Sequence, residues 1–302
     1  MKILIFLMAI LVPFTVSWAD KLNVVASIPD LGDMAERIGG DRVKVTTLAT
    51  GREDLHEVPV RPSFLPILNR ADILLSLGLD AEHAWLPALV KDARNPGIMK
   101  GNEGWVEVHH GITVLDIPEV LDRSEGEQHP RGNPHYNIGP QNGVIMAHNI
   151  FDALASAAPE NRDYFNENLQ KYVHEIDSTI SFLKKRSDEL RNIKVIGYHA
   201  DLAYLCAFYD MELIGHIEPK PGVSPTASHL RALEALGKRR GVRLVLHNQS
   251  QSPKIPQRLG RALDCRVVQI ANAVGAKREI KTWLQLQEYN NRVLLDALEA
   301  DH

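Results

Sequence analysis

Beyond residue 20 the chain alternates short β-branched apolar runs with stretches whose apolar residues recur every three or four positions. Runs at 22–26, 43–48 and 73–77 predict strands, and the stretches at 31–38, 62–70 and 82–91 predict helices. Gly39-Gly40 stops the first helix, and Pro62 opens the second. A polar stretch over 116–134, with Gly126, Pro130, Gly132 and Pro134, predicts a loop, and Pro140 opens a helix over 140–157. A long helical pattern follows over 159–190. Phe165, Leu169, Tyr172, Ile176, Ile180 and Leu183 fall on one face of it. Roughly 30 residues at 1.5 Å each give about 45 Å, enough to cross a domain or join two. The rhythm then restarts, with strands at 194–197, 211–214, 243–246 and 266–270 and helices at 202–208, 226–239, 253–263 and 280–300.

Strands alternating with helices predict parallel sheets covered on both faces. The expected fold is α/β. It has two lobes, each a mostly parallel sheet flanked by helices, joined by one long rigid helix. The expected division is 20–158 for the first lobe, 159–190 for the linking helix and 191–302 for the second lobe. Little lobe closure is expected of such a link.

The first residues do not fit this rhythm. Lys2 precedes an apolar run over 3–16, and Ser17-Trp18-Ala19 places small residues before a cut at Asp20. That is the form of a secretory signal peptide over 1–19. The run is shorter than the roughly 20 residues a membrane span needs. No cysteine stands at the cut, so a bacterial lipid anchor is not indicated. An exported, periplasmic, monomeric protein that does not span the membrane is expected.

Composition narrows the function without naming it. Of 302 residues, 44% are hydrophobic and 24% charged, which excludes a disordered, collagenous or disulfide-dense chain. A net charge of −4 argues against a nucleic-acid binder. Cys206 and Cys265 form no CxxC pair, which excludes a cysteine zinc site. A disulfide between them and two buried thiols both remain open.

Thirteen histidines are the one chemical excess. His56, His135 and His199 stand where a strand gives way to a loop or helix, the edge at which open α/β sheets bind ligands. Imidazole is a strong ligand for zinc and its neighbours. Each alone reads as an ordinary hydrogen-bonding loop residue; three at equivalent positions make one shared metal site an equal alternative. His129, in the polar loop, is an accessory ligand at most. His216 and His247 end strands of the second lobe and compete with His199. His109 and His110 read as surface residues.

Several segments carry a family resemblance: "VVASIPDLGDMAERIGGDRVKVTTL", "DILLSLGLDAEHAWL", "NPHYNIGPQN", "VIGYHADLAYLCAFYDM" and "HNQSQSPKIPQRL". The chain resembles the substrate-binding proteins of zinc and manganese ABC transporters, the metal receptors with a helical backbone. "NPHYNIGP" is similar to that family's NPHxWLDP motif, and "DLHEVPVRPS" to its DPHxYEPxPSD loop. The resemblance implies a divalent metal held between two lobes, with His56, His135 and His199 as ligands, and delivery to a membrane permease. Asn272, in "IANAVGA", falls where the family usually has a liganding aspartate, and is carried as the fourth ligand. Water or Glu57 is the alternative. Asn248 stands where a glutamate is common, Asn137 where tryptophan is common, and the histidine-rich insertion is absent.

Three imidazoles favour zinc over manganese, which prefers oxygen. The leading expectation is therefore a periplasmic receptor that carries zinc, or else manganese, as cargo, and no enzyme. A zinc hydrolase, with three histidines and an open fourth position, is the alternative. A receptor of the same fold that has lost metal and binds another solute or a protein is the third reading.

Overall fold

The computed structural model describes residues 21–118, 129–220 and 222–299. The expected leader and its cut, residues 119–128 of the polar loop and the last residue expected in the final helix lie outside them.

The first lobe is built from β1 (Leu22–Ala26), α1 (Pro29–Gly39), β2 (Val43–Thr47), α2 (Phe64–Asn69), β3 (Ile73–Ser76), α3 (Leu86–Ala93), β4 (Trp105–Glu107) and α4 (Gly143–Ala157). Then come the long α5 (Arg162–Lys185), β5 (Lys194–Gly197), α6 (Ala203–Phe208), β6 (Glu212–His216), α7 (Ala227–Arg240), β7 (Leu244–His247), α8 (Lys254–Leu263), β8 (Arg266–Gln269) and α9 (Trp283–Glu299). Both sheets have four parallel strands, in the orders β2-β1-β3-β4 and β6-β5-β7-β8. The second repeats the first. Alternate residues of β5 feed opposite cores: Val195 packs with Leu205 and Leu244, and Ile196 with Leu233 and Val245. A sheet buried on both faces explains why its strands read as continuous apolar runs.

Three features depart from the pattern reading. β4 is three residues of half-buried edge strand, too short to leave a periodic signal. The long helix ends at Lys185, about 36 Å from its start. The Ser187 hydroxyl donates to the Leu183 carbonyl and accepts from the Asn291 amide of α9 at 2.8 Å, and a 3-10 turn at Asp188–Leu190 takes over. The expected face is buried all the same at Phe165, Leu169, Tyr172, Ile176 and Leu183.

The third departure is that α9 also ties the lobes together. Trp283 and Leu286 pack into the first lobe's core, and Leu294, Leu295 and Leu298 into the second's. The Trp283 backbone N–H donates to Asp33 at 2.7 Å, and its indole to the Asn137 carbonyl at 2.7 Å. The lobes also meet directly. A side chain at Gly51 or Gly275 would strike the Val274 or Thr50 carbonyl across the seam, and both glycines have positive φ.

Cys206 and Cys265 pack on different faces of the second sheet, and no disulfide links them. Burial pushes the Cys206 thiol up to about 12, which leaves it unreactive. Among the described residues no helix is long and apolar enough to cross a membrane.

Candidate metal centre

The loops at the carboxyl ends of the two sheets face each other, and the histidines lie between them. His56 follows β2 in a loop held on both sides. Its backbone N–H donates to the Asp54 carboxylate at 2.9 Å, and the Trp85 indole donates to the Leu55 carbonyl at 3.0 Å. His56 Nδ1 lies 2.9 Å from the Ala81 carbonyl. A carbonyl only accepts, so Nδ1 carries the proton and Nε2 of the neutral ring keeps its lone pair. The turn that presents Ala81 is organised by buried Glu82, which accepts from the Ser27 hydroxyl at 2.6 Å and the Leu77 N–H at 2.7 Å.

His135 enters from the loop before α4. Its N–H donates to Asn133 Oδ1 at 3.0 Å, and the Tyr136 hydroxyl donates to the Leu77 carbonyl at 2.8 Å. Asn133 in turn reaches across the lobes to the Ala200 carbonyl at 2.7 Å, next to His199. His199 follows β5. Its Nδ1 donates to the Glu218 carboxylate at 2.8 Å, which leaves Nε2 as the available donor atom. Asp201, fully buried close by, accepts from the Asn248 amide at 2.7 Å.

The three expected histidines are all buried and come together. His56 Nε2 and His135 Nε2 are 3.2 Å apart. Two nitrogens on one tetrahedral ion, each about 2.05 Å from it, lie about 3.3 Å apart. Ring centroids are separated by 5.0 Å for His56 and His135, 5.4 Å for His135 and His199, and 5.8 Å for His56 and His199. His129 joins them. It stacks on His56 at 4.8 Å, and one nitrogen each of His56, His129 and His135 lies within 4.8 Å of the others. His199 stands just outside that set.

Electrostatics separate the four. Burial, with His56, His199 and His129 alongside, drives the His135 imidazole well below its ordinary value of 6.5. Burial and the neighbouring His56, His83 and His199 push His129 down to about 3. Burial also pulls on His199. There the Glu218 hydrogen bond and the charges of Asp201, Glu218 and Asp54 outweigh it, and the net shift is upward.

Asn272 is buried, but its amide oxygen accepts from Gln249 Nε2, which also donates to the Gly51 carbonyl at 3.0 Å. The Asn272 carbonyl accepts from Asn137 at 2.9 Å. Glu57 is exposed and outside the cluster of donors. His247 Nδ1 bonds the Asn248 carbonyl at 2.9 Å, and His109 lies 3.8 Å from Glu107. His216 ends β6 outside the cluster. Pattern reading missed Glu218, Asn133 and the Ala81 carbonyl. A partner 19 or 25 residues away leaves no local signature. The one available hint was that Glu218 lies just past a strand end, on the ligand-binding edge.

A family model described as ZnuA, zinc-uptake complex component A periplasmic, matches residues 24–297. The chain belongs to this family. The family is a component of metal uptake and not an enzyme. Among relatives, a manganese ABC transporter substrate-binding lipoprotein, PsaA of Streptococcus mitis, is 27% identical over 176 residues, 57% of this chain and 53% of that protein. An iron ABC transporter substrate-binding lipoprotein, MtsA of Streptococcus pyogenes serotype M1, is 26% identical over 179 residues, 58% of this chain and 54% of that protein. The chain thus matches these curated relatives over about half their length. A solved structure of a ZnuA deletion mutant with zinc bound superposes with a TM-score of 0.76 at 25% identity, covering 92% of this chain and 98% of that one.

Proposed function

We propose that the protein is a periplasmic receptor, exported by cleavage near Ala19, that captures a divalent transition metal and delivers it to an ABC permease. Zinc is the preferred cargo, and His56, His135 and His199 are ligands. The observation that carries this reading is the 3.2 Å approach of His56 Nε2 to His135 Nε2 in a site that both lobes complete. The outer nitrogens of His56 and His199 are already committed as donors, which leaves the second nitrogen of each ring available to an ion. The fold and family match supports a receptor, and gives no support to the hydrolase alternative. The relatives' names span manganese and iron, and a ZnuA structure holds zinc, so the choice of ion rests on the donor set. Neutral nitrogen donors suit zinc better than manganese.

Calorimetric titration of the exported protein with Zn2+ and Mn2+ tests this. Zinc is expected to bind one per chain and more tightly than manganese. His56→Ala, His135→Ala and His199→Ala should each weaken it, and His109→Ala should not. Wild-type affinity in all three histidine variants would refute the shared site.

A further inference from the structure

His129 is placed with more care than an accessory residue needs. Its ring stacks on His56 with centroids 4.8 Å apart and planes 26° apart. Its Nδ1 is buried and has no hydrogen-bond partner among the described residues. A buried polar nitrogen left unpaired is unfavourable, so that position calls for a partner. One nitrogen of its ring lies within 4.8 Å of one each from His56 and His135, and a cation is a partner that several imidazole lone pairs can share.

The turn that carries His129 is fixed from three sides. The Gly132 N–H donates to the His129 carbonyl at 2.9 Å, and the Asn133 N–H to the Leu115 carbonyl at 2.8 Å. Gly132 has φ +98°, and a Cβ there would strike Val114, Ile117 and the Leu115 carbonyl, so the turn requires glycine. Arg131 then forks onto the Glu107 carboxylate, with Nη1 to Oε2 at 2.9 Å and Nη2 to Oε1 at 3.3 Å, and reaches Asp80 at 3.5 Å. Glu107 ends β4, and Asp80 sits in the turn that presents Ala81 to His56. A bidentate arginine–carboxylate pair is among the better-defined ion pairs at a protein surface. Meanwhile the oxygen of Asn272 is taken by Gln249, which joins the lobes through Gly51.

We infer that His129, and not Asn272, is the fourth metal ligand, and that Arg131 is the positioning residue that holds it in place. The inference rests on the metal-capture reading above and deepens it. Four neutral imidazoles with no carboxylate in the coordination shell leave the bound ion its full double charge. Such a shell suits borderline ions of the zinc, copper and nickel class and disfavours hard ions such as Mn2+, which gain most from carboxylate oxygen. The selectivity of the site is thus set by the loop return that Arg131 clamps to β4.

The test uses the full exported protein, loaded with Zn2+, and counts imidazoles around zinc by X-ray absorption. The wild type should show four. His129→Ala should show three with one oxygen, and should lose roughly 10–100-fold in zinc affinity with little change for Mn2+. Arg131→Gln should lose about as much zinc affinity as His129→Ala, and the double variant should be no weaker than His129→Ala alone. A general loss of structure would instead add the two effects. His129→Asp should raise manganese affinity relative to zinc. Three imidazoles in the wild type, or additive losses in the double variant, would overturn the inference while leaving the receptor standing. If His56→Ala, His135→Ala and His199→Ala also all kept wild-type zinc affinity, the shared site on which the receptor reading rests would fail.

Discussion

The two lobes repeat one strand order but hold their histidines in opposite electrical surroundings. In the first lobe His135 is buried and His129 half-buried among other imidazoles, and their proton affinity is driven down. His56 is held there by a backbone carbonyl. In the second lobe His199 has a carboxylate at its back and two more nearby, and its proton affinity is raised above 6.5 against the pull of burial. The first lobe therefore offers lone pairs that no proton occupies near neutral pH. The second offers a more basic, stronger donor that a proton contests. On the proposed function, an ion entering this cleft meets ready ligands on one side and an ionisable one on the other, inside a field set by Asp54, Asp201 and Glu218.

The largest expected effect lies on the first side. Structural zinc binds histidine and cysteine sites with about 12 kcal/mol, which shared among four ligands is about 3 kcal/mol each, or roughly 100-fold in affinity. His135 adjoins the rings of His56, His129 and His199 alike, so His135→Ala should exceed that loss, and His199→Ala should fall near it. Zinc titration of both variants at one pH checks the order. A larger loss for His199→Ala would reverse the ranking of the lobes.

Next in size is the proton's share. With His199 as a ligand, as proposed, metal needs the lone pair on its Nε2, and a protonated ring has none. Below the raised pKa of His199, capture must expel one proton, and zinc affinity should fall about tenfold per pH unit. Above it, this histidine adds no slope. His135 and His129 add none near neutrality, because both are already neutral there. Glu218→Gln removes the hydrogen bond and charge that raise His199, so burial should dominate and the break in the profile should move to lower pH. Affinity on the alkaline plateau should also drop roughly 10–100-fold, the usual cost of losing a ligand's outer partner. Zinc affinities across about pH 5 to 8 decide it. An unmoved break would show that Glu218 does not control the second lobe's ligand.

The same contrast explains what was legible in the sequence. His56, His135 and His199 stood out because parallel strands announce their own ends, and ligands gather there. Their supports did not. Glu218 meets His199 across 19 residues, and Asn133 meets Ala200 across 67, distances set by the packing of the lobes and by no local period. Asn272 was placed by alignment with a family motif, which gives the position but not the partner, and here its oxygen faces Gln249. His129 reads as a loop residue and an accessory ligand at most, because nothing in its neighbours reveals a ring stacked on His56. The helices and seven of the eight strands followed from periodicity. β4, with one strand neighbour and three residues, did not. Nor did the crossing of α9 from one core to the other, because a stripe of apolar positions does not say whose core it fills.

The smallest expected effect asks whether the lobes are preset or must close. The Tyr204 hydroxyl, on α6, donates to the Asn133 carbonyl at 2.7 Å and accepts from the Leu115 N–H at 3.1 Å. It fastens the second lobe to the loop that leads into His135. Tyr204→Phe removes one donor and one acceptor and leaves two backbone groups short of a partner, at a cost of about 1–3 kcal/mol of stability. Asn133 still bonds Ala200, Trp283 still bonds Asn137 and Asp33, and α9 still passes through both cores. With so many ties left, the cleft should keep its shape and zinc affinity should fall by no more than about threefold, under 1 kcal/mol. Denaturant unfolding and zinc titration of the variant give the two numbers. A stability loss with nearly intact affinity supports a site built before the metal arrives. A large affinity loss at unchanged stability would mean that zinc binding draws the lobes together, and that the free energy of closure, more than the difference between their histidines, governs capture.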